Sequence, residues 1–168
     1  MFLMNPSRFK YCDGADFDGT NDYMLRGGGL TGATDSTSGI FSCWFRTDAV
    51  GNPFLMHTNP SRISVYRDGA NKLCVVGQSA TVALLNMVTI NAYPANASWF
   101  HILSSWDVNV TNARSIYMND VSDFSVITFT NGNFDYTVTD WSVGSYKDGS
   151  FKWNGCLAEF YFAPGQYL

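Results

Sequence analysis

Glutamate is nearly missing from this 168-residue chain, which carries one, Glu159, beside thirteen aspartates. Charged residues of all kinds make up 14% of it, against roughly 25% in an average soluble domain. Solvent-facing helix surfaces cannot be built on so small a supply of Glu, Lys and Arg, and no stretch shows sustained helical periodicity. Cationic clusters are missing too. Lys and Arg number 10 against 14 acidic residues, giving a net charge of −4 and a pI near 4.8, and no basic run opposes that field. Such a surface repels phosphate backbones, so nucleic acid is not the expected partner. The most apolar stretch, Val82 to Ile90, is interrupted by Asn86 and falls well short of the about 20 residues a membrane helix needs, so membrane insertion is not expected. Met1 to Lys10 carries Pro6 and Arg8 where a secretory leader would be apolar, so no signal peptide is read there. No Cys-x-x-Cys, His-x-His or His-Glu-x-x-His occurs to hold a transition metal, and no Gly-x-Ser-x-Gly to present a nucleophile.

What is abundant points to strands. Hydrophobic residues reach 46% and aromatics 16%, enough for one substantial core. Turn signals recur along the chain at Asp13-Gly14, Asp18-Gly19, Gly27-Gly28-Gly29, Gly51-Asn52-Pro53, Asp68-Gly69, Asn131-Gly132, Asp148-Gly149 and Asn154-Gly155. Between them lie short segments rich in Val, Ile, Phe, Tyr, Trp and Thr, the spacing of an all-β sandwich or barrel. Strands are expected at Gly39 to Thr47, Arg62 to Arg67, Lys72 to Gly77, Ala83 to Asn91, Trp99 to Trp106, Arg114 to Met118, Trp141 to Tyr146 and Leu157 to Phe162. In the first, Phe41, Cys43 and Phe45 alternate with Ser42, Trp44 and Arg46, which assigns the former three to the core. The loop Asp68-Gly-Ala between two strand segments reads as a hairpin.

Chemistry-bearing residues are few. Cys43 and Cys156 lie in apolar strands and read as buried reduced thiols, with a disulfide left open. His57, next to Asn59-Pro60, reads as exposed, and His101, inside Trp99-Phe-His-Ile-Leu103, as a hydrogen-bonded histidine on a sheet face. Retaining glycoside hydrolysis needs two carboxyl groups about 5 to 5.5 Å apart, and no Asp-x-Asp or Asp-x-Glu lies in a core strand, so an enzyme is not expected. Glu159 reads as a polar partner near a sheet edge. Phe17 and Tyr23 should enter the core from two edge strands, with Asp18-Gly19 and Asn21-Asp22 capping the turn between them.

Five segments in register resemble a known pattern: Ala15-Asp-Phe-Asp-Gly-Thr-Asn-Asp-Tyr23, Phe41-Ser-Cys-Trp-Phe45, Trp99-Phe-His-Ile-Leu103 with Trp106-Asp107, Ile116-Tyr-Met-Asn-Asp120, and Trp153-Asn-Gly-Cys-Leu-Ala-Glu-Phe-Tyr161. Across residues 14 to 163 they look like the laminin-G-like, concanavalin-A-like jelly roll, a two-sheet antiparallel β-sandwich. Leu25-Arg-Gly-Gly-Gly-Leu-Thr-Gly32, Gly39-Ile-Phe-Ser42 and Ala163-Pro-Gly-Gln-Tyr-Leu168 resemble more particularly the bacteriophage and prophage structural proteins that carry this domain. The resemblance implies an N-terminal arm, residues 1–13, ahead of a jelly-roll domain, residues 14–168. It implies a non-enzymatic virion module, a decoration, head-fibre or tail-associated protein attached to other virion proteins, localised in the virion after assembly in the host cytoplasm. A homo-oligomer, most simply a trimer, is the expected state, with Phe2, Leu3 and Met4 docking onto a neighbour.

Surface loops of such a virion module would also contact host surface glycans; the alternative is a soluble lectin-like carbohydrate-binding domain, with or without Ca²⁺. Its sugar-stacking candidates are Trp106, Trp141, Tyr146 and Trp153, all beside polar loops. No cofactor is required, but laminin-G-like domains hold Ca²⁺ at the sandwich rim, and Asp16, Asp18 and Asp22 are the candidate ligands here.

Overall fold

The computed structural model describes residues 14–60 and 62–168. Phe2, Leu3 and Met4 lie outside that range. Thirteen strands follow one another: β1 (Ala15–Asp18), β2 (Met24–Gly27), β3 (Ser38–Thr47), β4 (Phe54–Asn59), β5 (Ile63–Arg67), β6 (Leu73–Ser79), β7 (Val82–Val88), β8 (Phe100–Asp107), β9 (Arg114–Met118), β10 (Val121–Ser122), β11 (Ser125–Phe129), β12 (Asp140–Val143) and β13 (Asn154–Pro164). Among the described residues there is no helix. They form two antiparallel sheets, a six-stranded one in the order β1-β13-β3-β8-β9-β10 and a seven-stranded one in the order β11-β7-β6-β5-β4-β12-β2. The expected two-sheet antiparallel sandwich is what the chain adopts.

Alternation along β3 sets the core. Phe41, Cys43 and Phe45 are wholly buried between the sheets, together with Leu55, Val65, Leu73, Val75, Met87, Ile102 and Ile116. Residues one step along each strand face outward. The hairpin at Asp68 forms as expected, with β5 and β6 paired in antiparallel register and Asp68 Oδ1 accepting from the amides of Ala70 and Lys72 at 2.9 and 2.8 Å. Phe17 enters the core from β1, an edge strand of one sheet, whereas β2 is an edge of the other. Tyr23 does not follow Phe17 inward. It is 37% exposed at the rim where the chain passes between sheets, with the Lys152 ammonium over its ring.

Two further expectations change once the strands are paired. His57 lies within β4, not in an exposed loop, and is 1% exposed, because cis-Pro60 and the turn after it begin only beyond Asn59. Cys43 is a buried free thiol, whose pKa burial pushes up, but Cys156 is held in a disulfide. Register explains the difference. Cys156 pairs with Asp16 on one side and Arg46 on the other, which places it on the outer face, while its neighbour Leu157 faces the core.

Candidate functional site

The outer face of the six-stranded sheet is built by the residues that alternate with the core. From β3 these are Ser42, Trp44 and Arg46. In the register, Trp44 stands between Ala158 of β13 and His101 of β8. The His101 ring packs against the indole, with centroids 5.0 Å apart and planes at 33°, and its Nε2 lies 2.9 Å from Ser42 Oγ. The histidine is therefore the hydrogen-bonded face residue expected, and it braces Trp44 from one side. On the other side the cross-strand neighbour is the small Ala158, and the indole is 37% exposed. Trp99, just before β8, is half-buried, with the Arg46 guanidinium 6.0 Å from its ring centre and tied to Asp48 at 3.2 Å.

Glu159 completes the arrangement. The β13–β3 pairing slips between Ala158 and Tyr161, and within that bulge Glu159 takes a φ of +50°, the left-handed region that costs a non-glycine residue about 1 kcal/mol or more. The bulge turns this side chain outward, exposed beside the tryptophans, instead of into the sheet edge as a polar partner. Among the described residues it has no hydrogen bond or ion pair. Trp44, Trp99, Ala158 and Glu159 line one open cleft of about 330 Å³. Farther along the same face, Tyr161 and Tyr117 are 48% and 39% exposed, in the row that runs through Ser42 and Leu103. Two indole walls and one carboxylate can stack on an apolar ring face and accept hydrogen bonds at its edge.

The four aromatics singled out from sequence are not brought together. Trp106 and Trp153 are wholly buried and Trp141 is 6% exposed, so none of them offers a ring face to a sugar. Their indole N–H groups are spent internally, Trp106 on the Tyr136 hydroxyl at 3.3 Å, Trp141 on the Val138 carbonyl at 2.9 Å and Trp153 on the Arg46 carbonyl at 3.1 Å. Tyr146 is half-buried on the opposite face of the molecule, over His57 at 4.0 Å and Phe54 at 5.2 Å. Trp141 does line an apolar cavity of about 320 Å³ between β2 and β13, with Met24, Leu25, Met56, Phe160 and Phe162. The two polar side chains there, Arg26 and Ser142, are already bonded to carbonyls within the chain, so that cavity offers a sugar little.

The candidate calcium ligands are likewise engaged. Asp18 Oδ1 accepts from the amides of Thr20 and Asn21 at 2.7 and 3.0 Å, and the Asn21 and Thr20 bonds hold its carboxyl below the usual carboxylate range. Asp22 Oδ2 accepts from the Asp18 amide at 3.2 Å. Both carboxylates thus serve the turn they sit in. Asp16 is exposed on the outer face of β1, opposite Cys156. Among the described residues no group of three or more His, Cys, Asp or Glu is placed to hold a metal ion. Asp123, in a second acidic loop, is buried beneath the Tyr93 hydroxyl and the amides of Ile90 and Asn91. Burial would raise its pKa, but those bonds hold the carboxyl low.

No family model matches this sequence, and no curated protein matches it. Solved structures do. A putative carbohydrate-binding protein from Bacteroides ovatus aligns over 88% of the chain with a TM-score of 0.67 and 16% identity. The LG1-3 region of the laminin α2 chain aligns over 87% with a TM-score of 0.64 and 15% identity. The fold is a laminin-G-like jelly roll. This jelly roll spans 42% of the Bacteroides protein and 30% of the laminin fragment. It also resembles domain 4 of an extracellular GH43 arabinanase from Geobacillus stearothermophilus, solved with arabinotriose, which aligns over 87% of this chain and 84% of that one at a TM-score of 0.57 and 13% identity.

Proposed function

We propose that this jelly roll is a carbohydrate-binding module and that its sugar site is the cleft of Trp44, Trp99 and Glu159. The observation that carries the proposal is the pairing of an exposed and a half-buried indole with an unengaged carboxylate in one open cleft. A pyranose has an apolar face that stacks on an indole and a rim of hydroxyls that a carboxylate accepts from. Two structural neighbours, a putative carbohydrate-binding protein and an arabinanase domain solved with arabinotriose, support the same reading. Binding without hydrolysis is the consistent chemistry, since glycoside cleavage ordinarily needs a pair of carboxyl groups and among the described residues a single one lines the cleft. The virion setting implied by Leu25-Gly32 and Ala163-Leu168 gains nothing from the fold, and sugar binding stands apart from it.

The test is affinity electrophoresis or calorimetry against a panel of soluble polysaccharides. Trp44→Ala and Trp99→Ala should each lower affinity about tenfold or more while the chain stays folded, because neither ring belongs to the core between the sheets. Full affinity in the double variant would refute the assignment.

A further inference from the structure

We infer that the cleft selects a saccharide bearing a free, protonated amine over neutral and acidic sugars. This rests on the carbohydrate reading and adds charge to it. Glu159 is the chain's one glutamate, and among the described residues neither a hydrogen bond nor an ion pair compensates its carboxylate. It is held beside the tryptophans by a left-handed bulge in the middle of an 11-residue strand, a strained placement that no contact inside the sheet uses.

Arg46, which follows Trp44 on the outer face of β3, makes no ion pair with Glu159. Arg46 is 8% exposed, is paired with Asp48 at 3.2 Å, and rests on the Trp99 ring at 6.0 Å. His101 is committed to Ser42 and to packing on Trp44. The cleft therefore presents one negative charge and two indole walls. An ammonium group gains from both, through the carboxylate and through the ring quadrupoles. A uronate would set like charges side by side in a molecule already at −4.

The probes are glucosamine oligomers, N-acetylglucosamine oligomers of the same length and oligogalacturonate, titrated calorimetrically into the full chain. The free-amine oligomer should bind about tenfold tighter than its acetylated counterpart, galacturonate should bind weakest, and added salt should narrow the difference. Glu159→Gln should bring the ratio close to one, by weakening the free-amine oligomer's binding far more than the acetylated oligomer's. Equal affinity of the two oligomers for the native chain, or a preference that survives Glu159→Gln, overturns the amine assignment and leaves the carbohydrate reading standing. If none of the three binds, or if Trp44→Ala leaves every affinity unchanged, the cleft itself is refuted as a sugar site.

Discussion

The two outer faces of the sandwich carry the same kinds of side chain and put them to different uses. On the six-stranded sheet, Trp44, Trp99, Tyr117 and Tyr161 stand apart with their rings open to solvent to differing degrees. On the seven-stranded sheet, Phe54 and Tyr66 stack at 5.1 Å, and the segment after β12 folds over them. It lays Tyr146 and Phe151 on Phe54 at 5.2 and 6.2 Å. Beside this cover runs a cross-strand row of smaller residues, Ser142, His57, Ser64, Val76, Asn86 and Thr128. The rings of this cluster pack on one another, with Phe54, Tyr66 and Tyr146 half-buried and Phe151 its exposed outer member. Aromatic content therefore does not mark a binding face by itself. What marks the proposed site is a ring left open by the described residues, next to a carboxylate that none of them satisfies.

Substitutions should separate the two uses. The largest effect is expected at the core tryptophans: Trp153→Ala should lower unfolding free energy by about 3–5 kcal/mol, whereas Trp44→Ala should cost less than about 1 kcal/mol. Urea denaturation of the two variants decides it, and similar losses in both would erase the distinction between buried and presented rings.

Next comes the covered face. Burial, and after it the Lys147 ammonium, lower the His57 pKa to about 4, below its ordinary value near 6.5. Between these values the unfolded chain binds the proton and the folded one does not, so stability is full above about pH 6.5 and falls as pH drops toward 4, by up to about 3 kcal/mol. His57→Gln should flatten that slope in denaturation curves taken across this range. An unchanged slope would mean that the histidine is not the titrating group.

The smallest effect belongs to the open face. Glu159→Gly should relieve the left-handed strain and stabilise the fold by about 0.5–1 kcal/mol while abolishing amine preference in the cleft. A destabilised variant would show that the side chain supports the sheet after all.

Half of the proposed site was visible in the alternation of β3. Phe41, Cys43 and Phe45 claim the core, so Trp44 had to point outward. Tryptophans that neighbour polar loops carry a stronger local signal, and it misleads. Trp106 is one of them, and its burial depends on a partner strand. It pairs across β3 with Gly39, where even a Cβ would come within 2.5 Å of the indole, so the glycine makes the slot the ring fills. Glu159 was legible only as an isolated carboxylate, because the bulge that presents it comes from a slip in pairing between β13 and β3.

Composition and periodicity by themselves settle the all-β class, the single core and the identity of most strands, because burial in a sheet repeats every second residue and turns need particular residues. They also settle which residues of β3 turn inward. Register, the bulge at Glu159 and the loop that closes over Phe54 were decided by tertiary pairing alone. These depend on which strand lies beside which, and a local pattern holds no record of its distant neighbour.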